Sequence, residues 1–323
     1  MTHQQKIVVY KPLPGDVAGW LAQHAELVEV DAKTPGALQA ALRDADGAIG
    51  ASVAITPAML EGSRVRALST ISVGYDQFDV ADLTRRGIVL AHTPDVLTES
   101  TADTVFALIL ASARRVVELA EWVKAGRWTA SIGPALYGTD VQGKTLGIVG
   151  LGRIGGAVAR RAALGFQMKV QYTNRSANAA AERAYGARRV ALDELLATSD
   201  FVCLQVPLTP ETQKLIGADE LRKMKPGAIL INASRGATVD EDALVAALQA
   251  GTIRGAGLDV FAHEPLDPAS PLLALPNVVA LPHIGSATHE TRHAMARCAA
   301  ENLVAALAGT LDRNVVNREV LAR

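Results

Sequence analysis

The chain is poor in aromatic residues, in cysteine and in unbalanced charge. Aromatics make up 4% of its 323 residues, which leaves few platforms for stacking nucleobases. The formal net charge is −1, with no long run of one sign. That excludes the basic field a nucleic-acid or anionic-membrane binder needs. Two cysteines, Cys203 and Cys298, offer no disulfide framework, and Cys203, inside an apolar strand pattern, is expected to be buried and inert. The longest apolar stretch, Val105 to Ala113, stops at Arg114–Arg115 and is too short to span a bilayer. The opening segment MTHQQKIVVYKPLPGD has neither the apolar core nor the cleavage site of a signal peptide. The expectation is a cytoplasmic protein with no membrane or nucleic-acid partner.

What is present is a large apolar reserve, 49% of residues against 20% charged, and a length that suggests two domains. Short apolar runs alternate with helical patterns, the sign of an α/β chain with parallel sheets. The early runs are Ile7 to Tyr10, Leu27 to Val30, Gly47 to Ala51, Leu68 to Val73 and Ile88 to Ala91. The later ones are Leu146 to Val149, Met168 to Thr173, Phe201 to Val206, Ala228 to Asn232, Gly255 to Val260 and Val278 to Leu281. Long helices are expected over Ala102 to Gly126 and over 287–308, as connectors between the domains. A cofactor domain, 101–286, would then be inserted into a substrate domain made of 1–100 and 287–323.

The strongest local signal is Gly150-Leu151-Gly152-Arg153-Ile154-Gly155. With 27 glycines in the chain, chance alone supplies about 0.2 such matches, so context must carry the reading. The context is complete: an apolar strand before, a helical pattern after, and a second strand beyond it. This is the dinucleotide-binding βαβ pattern. Gly150 permits the tight turn, Gly152 lets the backbone approach a pyrophosphate and Gly155 lets helix and strand pack closely. Arg153 and Ile154 open the helix, whose free N–H groups face the phosphates.

An NAD site usually carries Asp or Glu about 20 residues further on, bonding the ribose 2′-OH. That position here is Arg175, and no acid lies between Gly155 and Glu182. Arg175 can pair with a 2′-phosphate, and Asn174 and Ser176 can donate hydrogen bonds to it. The expected cofactor is NADPH, with NADH accepted more weakly.

In a doubly wound sheet, ligands lie beyond the carboxyl ends of the strands. Three late strands lead there to Arg235, to Asp259 with Glu264, and to His283. A guanidinium can grip a keto acid through its carboxylate and carbonyl. Imidazole titrates near neutrality and can protonate a carbonyl oxygen, and a carboxylate beside it favours imidazolium. Asp259 is better suited to the nicotinamide side. Each residue alone also fits a bland surface or loop role, and spacing does not decide between these readings.

The segments ISVGYDQFD (71–79), HTPDVLTESTADTVFALIL (92–110), INASRG (231–236), GLDVFAHEP (257–265) and LPHIGSATHETR (281–292), with the glycine turn, resemble the D-2-hydroxyacid dehydrogenase family. Within it the chain is most similar to the glyoxylate/hydroxypyruvate and 2-ketogluconate reductases. The resemblance covers essentially the whole chain, including WTASIGPALYGTD (128–140). It implies two doubly wound parallel-sheet domains, a Rossmann cofactor domain inserted into a flavodoxin-like one. Arg235 would bind substrate, Glu264 would pair with the catalytic His283, and Asp259 would contact the nicotinamide carboxamide. Val73 and Gly74 would hold the substrate carboxylate through backbone N–H groups. The family also implies a homodimer through the cofactor domain, with the arm around Trp128 to Tyr137 at the interface.

Two other readings compete. His289-Glu290-Thr291-Arg292-His293 matches the H-E-x-x-H zinc-peptidase signature; no nearby third ligand is evident, with Glu301 and Glu319 left open, and the glycine turn and the Arg235/Glu264/His283 set would then be idle. A dinucleotide-binding sensor or corepressor without turnover would need no Arg/Glu/His set. His24, His92 and His263 read as loop or surface residues.

Overall fold

Two parallel sheets hold the twelve strands of the residues described by the computed structural model, 4–322. The first sheet comprises β1 (Lys6–Val9), β2 (Glu26–Glu29), β3 (Gly47–Gly50), β4 (Ala67–Thr70) and β5 (Val89–Ala91), in the order β2-β1-β3-β4-β5. This is the flavodoxin-like order. Ile7 is in register with both Leu27 and Gly47. Strands β3, β4 and β5 are buried along their whole length, because the helices of a doubly wound sheet cover both faces. Val8, Leu42, Leu68 and Leu90 lie in one core. The helix His289–Leu307 completes this unit, its first turn capped by Thr288, whose hydroxyl accepts from the Thr291 N–H at 3.1 Å.

The second sheet comprises β6 (Thr145–Val149), β7 (Lys169–Thr173), β8 (Arg188–Arg189), β9 (Phe201–Leu204), β10 (Ile229–Asn232), β11 (Gly255–Leu258) and β12 (Val278–Ala280), in the order β12-β11-β10-β9-β6-β7-β8. Counted from β6 this is the Rossmann order with one strand added. The chain forms two compact units, one from the residues up to Leu97 and from Thr288 onward, the other from Thr98–Ala287. Cys203 is fully buried in β9, and burial pushes its thiol up to about 12. Among the described residues no helix is long and apolar enough to cross a membrane.

One expected element is wrong. The single helix over Ala102 to Gly126 is two helices, Thr98–Ala113 and Val116–Lys124, parted at Arg115, which is left-handed with φ +56°. The Ala113 carbonyl accepts from the Thr139 N–H at 2.8 Å. Gly138 lies so close that a Cβ there would sit 2.4 Å from that carbonyl. The Arg115 guanidinium is held by both oxygens of Glu118, at 2.7 and 2.8 Å. A returning loop therefore ends the helix, a contact no local periodicity encodes. Strand β8 was also missed, because two arginines carry no apolar signal.

Gly50 ends β3 against the buried ring of Tyr10, where a Cβ would lie 2.3 Å from ring carbons. Gly50→Ala is expected to cost about 1–3 kcal/mol through overpacking. Urea unfolding should show a lower midpoint at unchanged slope.

Candidate active site

The turn after β6 has three glycines in three different steric settings. Gly150 has φ +99°, and a Cβ there would meet the Gln205 carbonyl at 2.5 Å. At Gly155 a Cβ would lie 2.3 Å from the Gly150 carbonyl, so this glycine sets the approach of the helix Arg153–Arg160 to the strand. At Gly152 nothing lies within 4 Å of the added Cβ. Its backbone faces open space at the helix N-terminus, as a phosphate cradle requires. Arg153 is exposed there, and Ile154 packs partly against the core. The residues present fit a dinucleotide pyrophosphate.

Beyond β7, Asn174 is half-buried while Arg175 and Ser176 are exposed. The next acid, Glu182, is engaged elsewhere. It accepts from the hydroxyl of buried Tyr172 at 2.7 Å, and that hydroxyl accepts from the Asn178 N–H at 2.7 Å. The Asn178 amide donates to the Leu151 carbonyl at 3.0 Å and so ties this loop to the glycine turn. The loop therefore offers cations and amides.

Neighbouring strands β10, β11 and β12 bring the remaining candidates together. Beyond β10, the Arg235 carbonyl is fixed by Asn232 Nδ2 at 3.0 Å and Thr238 Oγ1 at 2.7 Å. Gly236 follows, where a Cβ would stand 1.8 Å from the Phe261 carbonyl carbon. Only glycine permits this approach between the loops after β10 and β11. The Phe261 N–H donates to Glu264 Oε1 at 3.0 Å, and Glu264 Oε2 meets His283 Nδ1 at 2.7 Å. Burial works against the Glu264 carboxylate, but the His283 and Phe261 hydrogen bonds and the charges of His283 and Arg235 outweigh it, holding the group below its ordinary value. An ionised carboxylate can only accept, so Nδ1 carries the hydrogen of this bond and Nε2 is the nitrogen left for another partner.

Asp259 is 1% exposed. Its oxygens accept from the Ile284 N–H at 2.7 Å and the Gly285 N–H at 2.8 Å. Burial raises its carboxyl, opposed by those two bonds. It thus fastens the turn after His283, a role not foreseen, and its unused lone pairs leave room for a further donor.

In the other unit, the Val73 carbonyl meets His92 Nδ1 at 2.9 Å, and the Gly74 N–H donates to Ser72 Oγ at 3.1 Å. The His92 ring stands edge-on to Tyr75 at 5.6 Å. His92 lies in the loop after β5, as expected, but is half-buried and braces the Val73 segment. Gly236 and His92 were missed because their partners are remote in sequence; only the adjacency of Gly236 to Arg235 hinted at it. His24 and His263 are exposed, as expected. In the H-E-x-x-H segment, His293 Nε2 is bonded to Asp16 Oδ2 at 2.8 Å. Among the described residues no group of three or more His, Cys, Asp or Glu could hold a metal ion.

The family described as D-isomer specific 2-hydroxyacid dehydrogenase, NAD binding domain, matches residues 106–285. The glyoxylate/hydroxypyruvate reductase B of Yersinia enterocolitica is 57% identical over 319 residues, 98% of either chain. Among solved structures, a protein from Thermus thermophilus is 43% identical with a TM-score of 0.88, over 97% of this chain and 100% of that one. The NADPH-dependent glyoxylate/hydroxypyruvate reductase of Sinorhizobium meliloti, solved with NADP and malonate, is 36% identical with a TM-score of 0.84, over 94% and 93%.

The depressed Glu264 carboxyl has a stability signature. A lowered folded-state value contributes stability that is complete above the ordinary 4.5 and is lost as pH falls through the depressed value. The stability gap between wild type and Glu264→Gln should be constant near neutrality and close below that point. A gap unchanged in urea titrations down to about pH 3 would contradict the pairing.

Proposed function

The chain belongs to the D-isomer specific 2-hydroxyacid dehydrogenase family, and from that premise we propose that it reduces glyoxylate, hydroxypyruvate and 2-ketogluconate to D-2-hydroxy acids with NADPH. The observation that carries the reading is the 2.7 Å bond between Glu264 and His283, with Arg235 near enough to act on the same carboxylate. That constellation suits proton delivery to a keto-acid carbonyl. The Yersinia and Sinorhizobium relatives, named as glyoxylate/hydroxypyruvate reductases, support the substrate class.

In this mechanism the reduced nicotinamide supplies a hydride to C2 of the keto acid. Arg235 holds the substrate carboxylate and carbonyl through its planar fork. His283, protonated on both nitrogens, gives its Nε2 proton to the carbonyl oxygen and is left neutral, still donating Nδ1–H to Glu264. Glu264 stabilises the imidazolium and fixes its tautomer. In the other unit, the Val73 and Gly74 N–H groups are proposed donors to a carboxylate, the Gly74 N–H lying on the Ser72 hydroxyl in this structure. Gly150, Gly152, Arg153, Ile154 and Gly155 hold the pyrophosphate side. Asn174, Arg175 and Ser176 take the 2′-phosphate, and Asp259 accepts from the carboxamide.

We assign the dimer contact to the cofactor unit. The helix Val116–Lys124 buries none of its residues, and Val116, Val117, Trp128, Ile132 and Tyr137 are all exposed apolar groups. An apolar surface of this kind suits a second copy of the chain.

The test is steady-state reduction of the three keto acids with NADPH and with NADH. Turnover that favours NADPH is expected; cofactor binding without turnover would point to a sensor. His283→Ala should lower kcat by roughly 10²–10⁴-fold. Reduction, which consumes a proton, should weaken as the pH is raised, while oxidation of the hydroxy acid, which releases one, should gain. Arg235→Ala should lower kcat/KM for the keto acid; an unchanged value would remove Arg235 from the site.

A further inference from the structure

The two residues of β8 differ in what they do. Arg188 pairs with Glu194 at 2.8 Å and reaches Gln171 at 3.4 Å. Its neighbour Arg189, directed the other way along the strand, lays its guanidinium on the backbone beyond β7. Nη2 donates to the Asn174 carbonyl at 2.8 Å and to the Arg175 carbonyl at 2.9 Å, and Nε donates to the Asn174 carbonyl at 3.2 Å. Among the described residues these are the only hydrogen bonds those two carbonyls accept. The far end of the loop is secured separately, by Asn178 on Leu151 and Tyr172.

We propose that Arg189 is a positioning residue for NADPH specificity, holding the Asn174–Arg175 backbone so that Arg175 and Ser176 meet the 2′-phosphate already ordered. This rests on the NADPH reading above. Arg175 and Ser176 are exposed, with Glu211 near enough to Arg175 to feel its charge, so their placement leans on the loop backbone. An unfastened loop would have to be ordered when the phosphate binds, and that cost would subtract from affinity. The fork geometry is essential to the argument. Nη2 serves both carbonyls while Nε adds a second bond to that of Asn174, so the planar guanidinium grips the Asn174 carbonyl with two nitrogens, whereas an ammonium is a point donor on a flexible stem. The turn at Gly150–Gly155 contacts what NADH and NADPH share, so disturbing the Arg189 clamp should act on the 2′-phosphate alone.

The experiment compares wild type, Arg189→Met and Arg189→Lys in the full-length protein. Initial rates are measured with hydroxypyruvate and either NADPH or NADH, and thermal melting is followed in parallel. In Arg189→Met the KM for NADPH should rise about 10-fold, the scale of losing hydrogen bonds to a charged group. kcat with NADPH should move less than KM, and the preference for NADPH over NADH in kcat/KM should fall by a similar factor. Arg189→Lys keeps the charge without the fork and should recover little of the preference. Three results would overturn the proposal: an unmoved preference in Arg189→Met, equal losses with both cofactors, or full recovery in Arg189→Lys, which would make charge alone the cause. A wild type that favours NADH would instead overturn the cofactor reading itself, and this inference with it.

Discussion

The candidate site depends on one buried carboxylate. Asp259 accepts the N–H groups of both Ile284 and Gly285, and these follow directly on His283, which stands at φ +54°. A side chain in that left-handed region is disfavoured by roughly 1–2 kcal/mol. Something must hold the turn there, and two hydrogen bonds to one buried carboxyl group are suited to it. A carboxylate serves because both of its oxygens accept, where an amide would present only one acceptor atom. Space is tight as well, since a Cβ on Gly285 would lie 3.2 Å from Asp259 Oδ2. Burial opposes the charge and the two N–H groups favour it. The turn so held carries His283, whose ring is itself bonded to Glu264 at 2.7 Å.

A second constraint brings the partners within range. Gly236 presses on the Phe261 backbone, and the Phe261 N–H in turn holds Glu264. The loop carrying Arg235 and the loop carrying Glu264 are thus positioned by backbone contact. Side-chain chemistry at strand ends is placed by main-chain packing, so a change that adds one carbon at residue 236 acts on Arg235 and Glu264 together.

Much of this was legible in the sequence. Parallel strands buried on both faces read as short apolar runs, and eleven of the twelve strands among the described residues coincide with such runs. The rule that ligands gather at carboxyl ends then pointed to Arg235, Glu264 and His283 without knowledge of their distances. What escaped shares one physical character. The helix break at Arg115 depends on Gly138 and Thr139 returning to Ala113. The bracing of Val73 by His92 and the second duty of Asp259 also join residues 19 to 26 positions apart. Periodicity reports local burial; it carries no information on which remote backbone group a side chain will meet.

The same limit explains why cofactor preference is harder to read than cofactor class. The glycine turn is legible from its own pattern, since Gly155 answers to the Gly150 carbonyl within the turn and Gly150 stands at φ +99°, although it also meets the remote Gln205 carbonyl. It suits a pyrophosphate, which NADH and NADPH have in common, so a preference between them would be set beyond β7. There the absence of an acid was visible, while the shape of the loop was not, because its fastening comes from β8. That strand is short and wholly charged, two features that also guard a sheet edge against pairing with another chain. Arg188, tied to Glu194, suits the edge. Arg189, tied to the loop, suits recognition. Two adjacent arginines thus answer a folding constraint and a binding constraint, and the strand alternation separates the two.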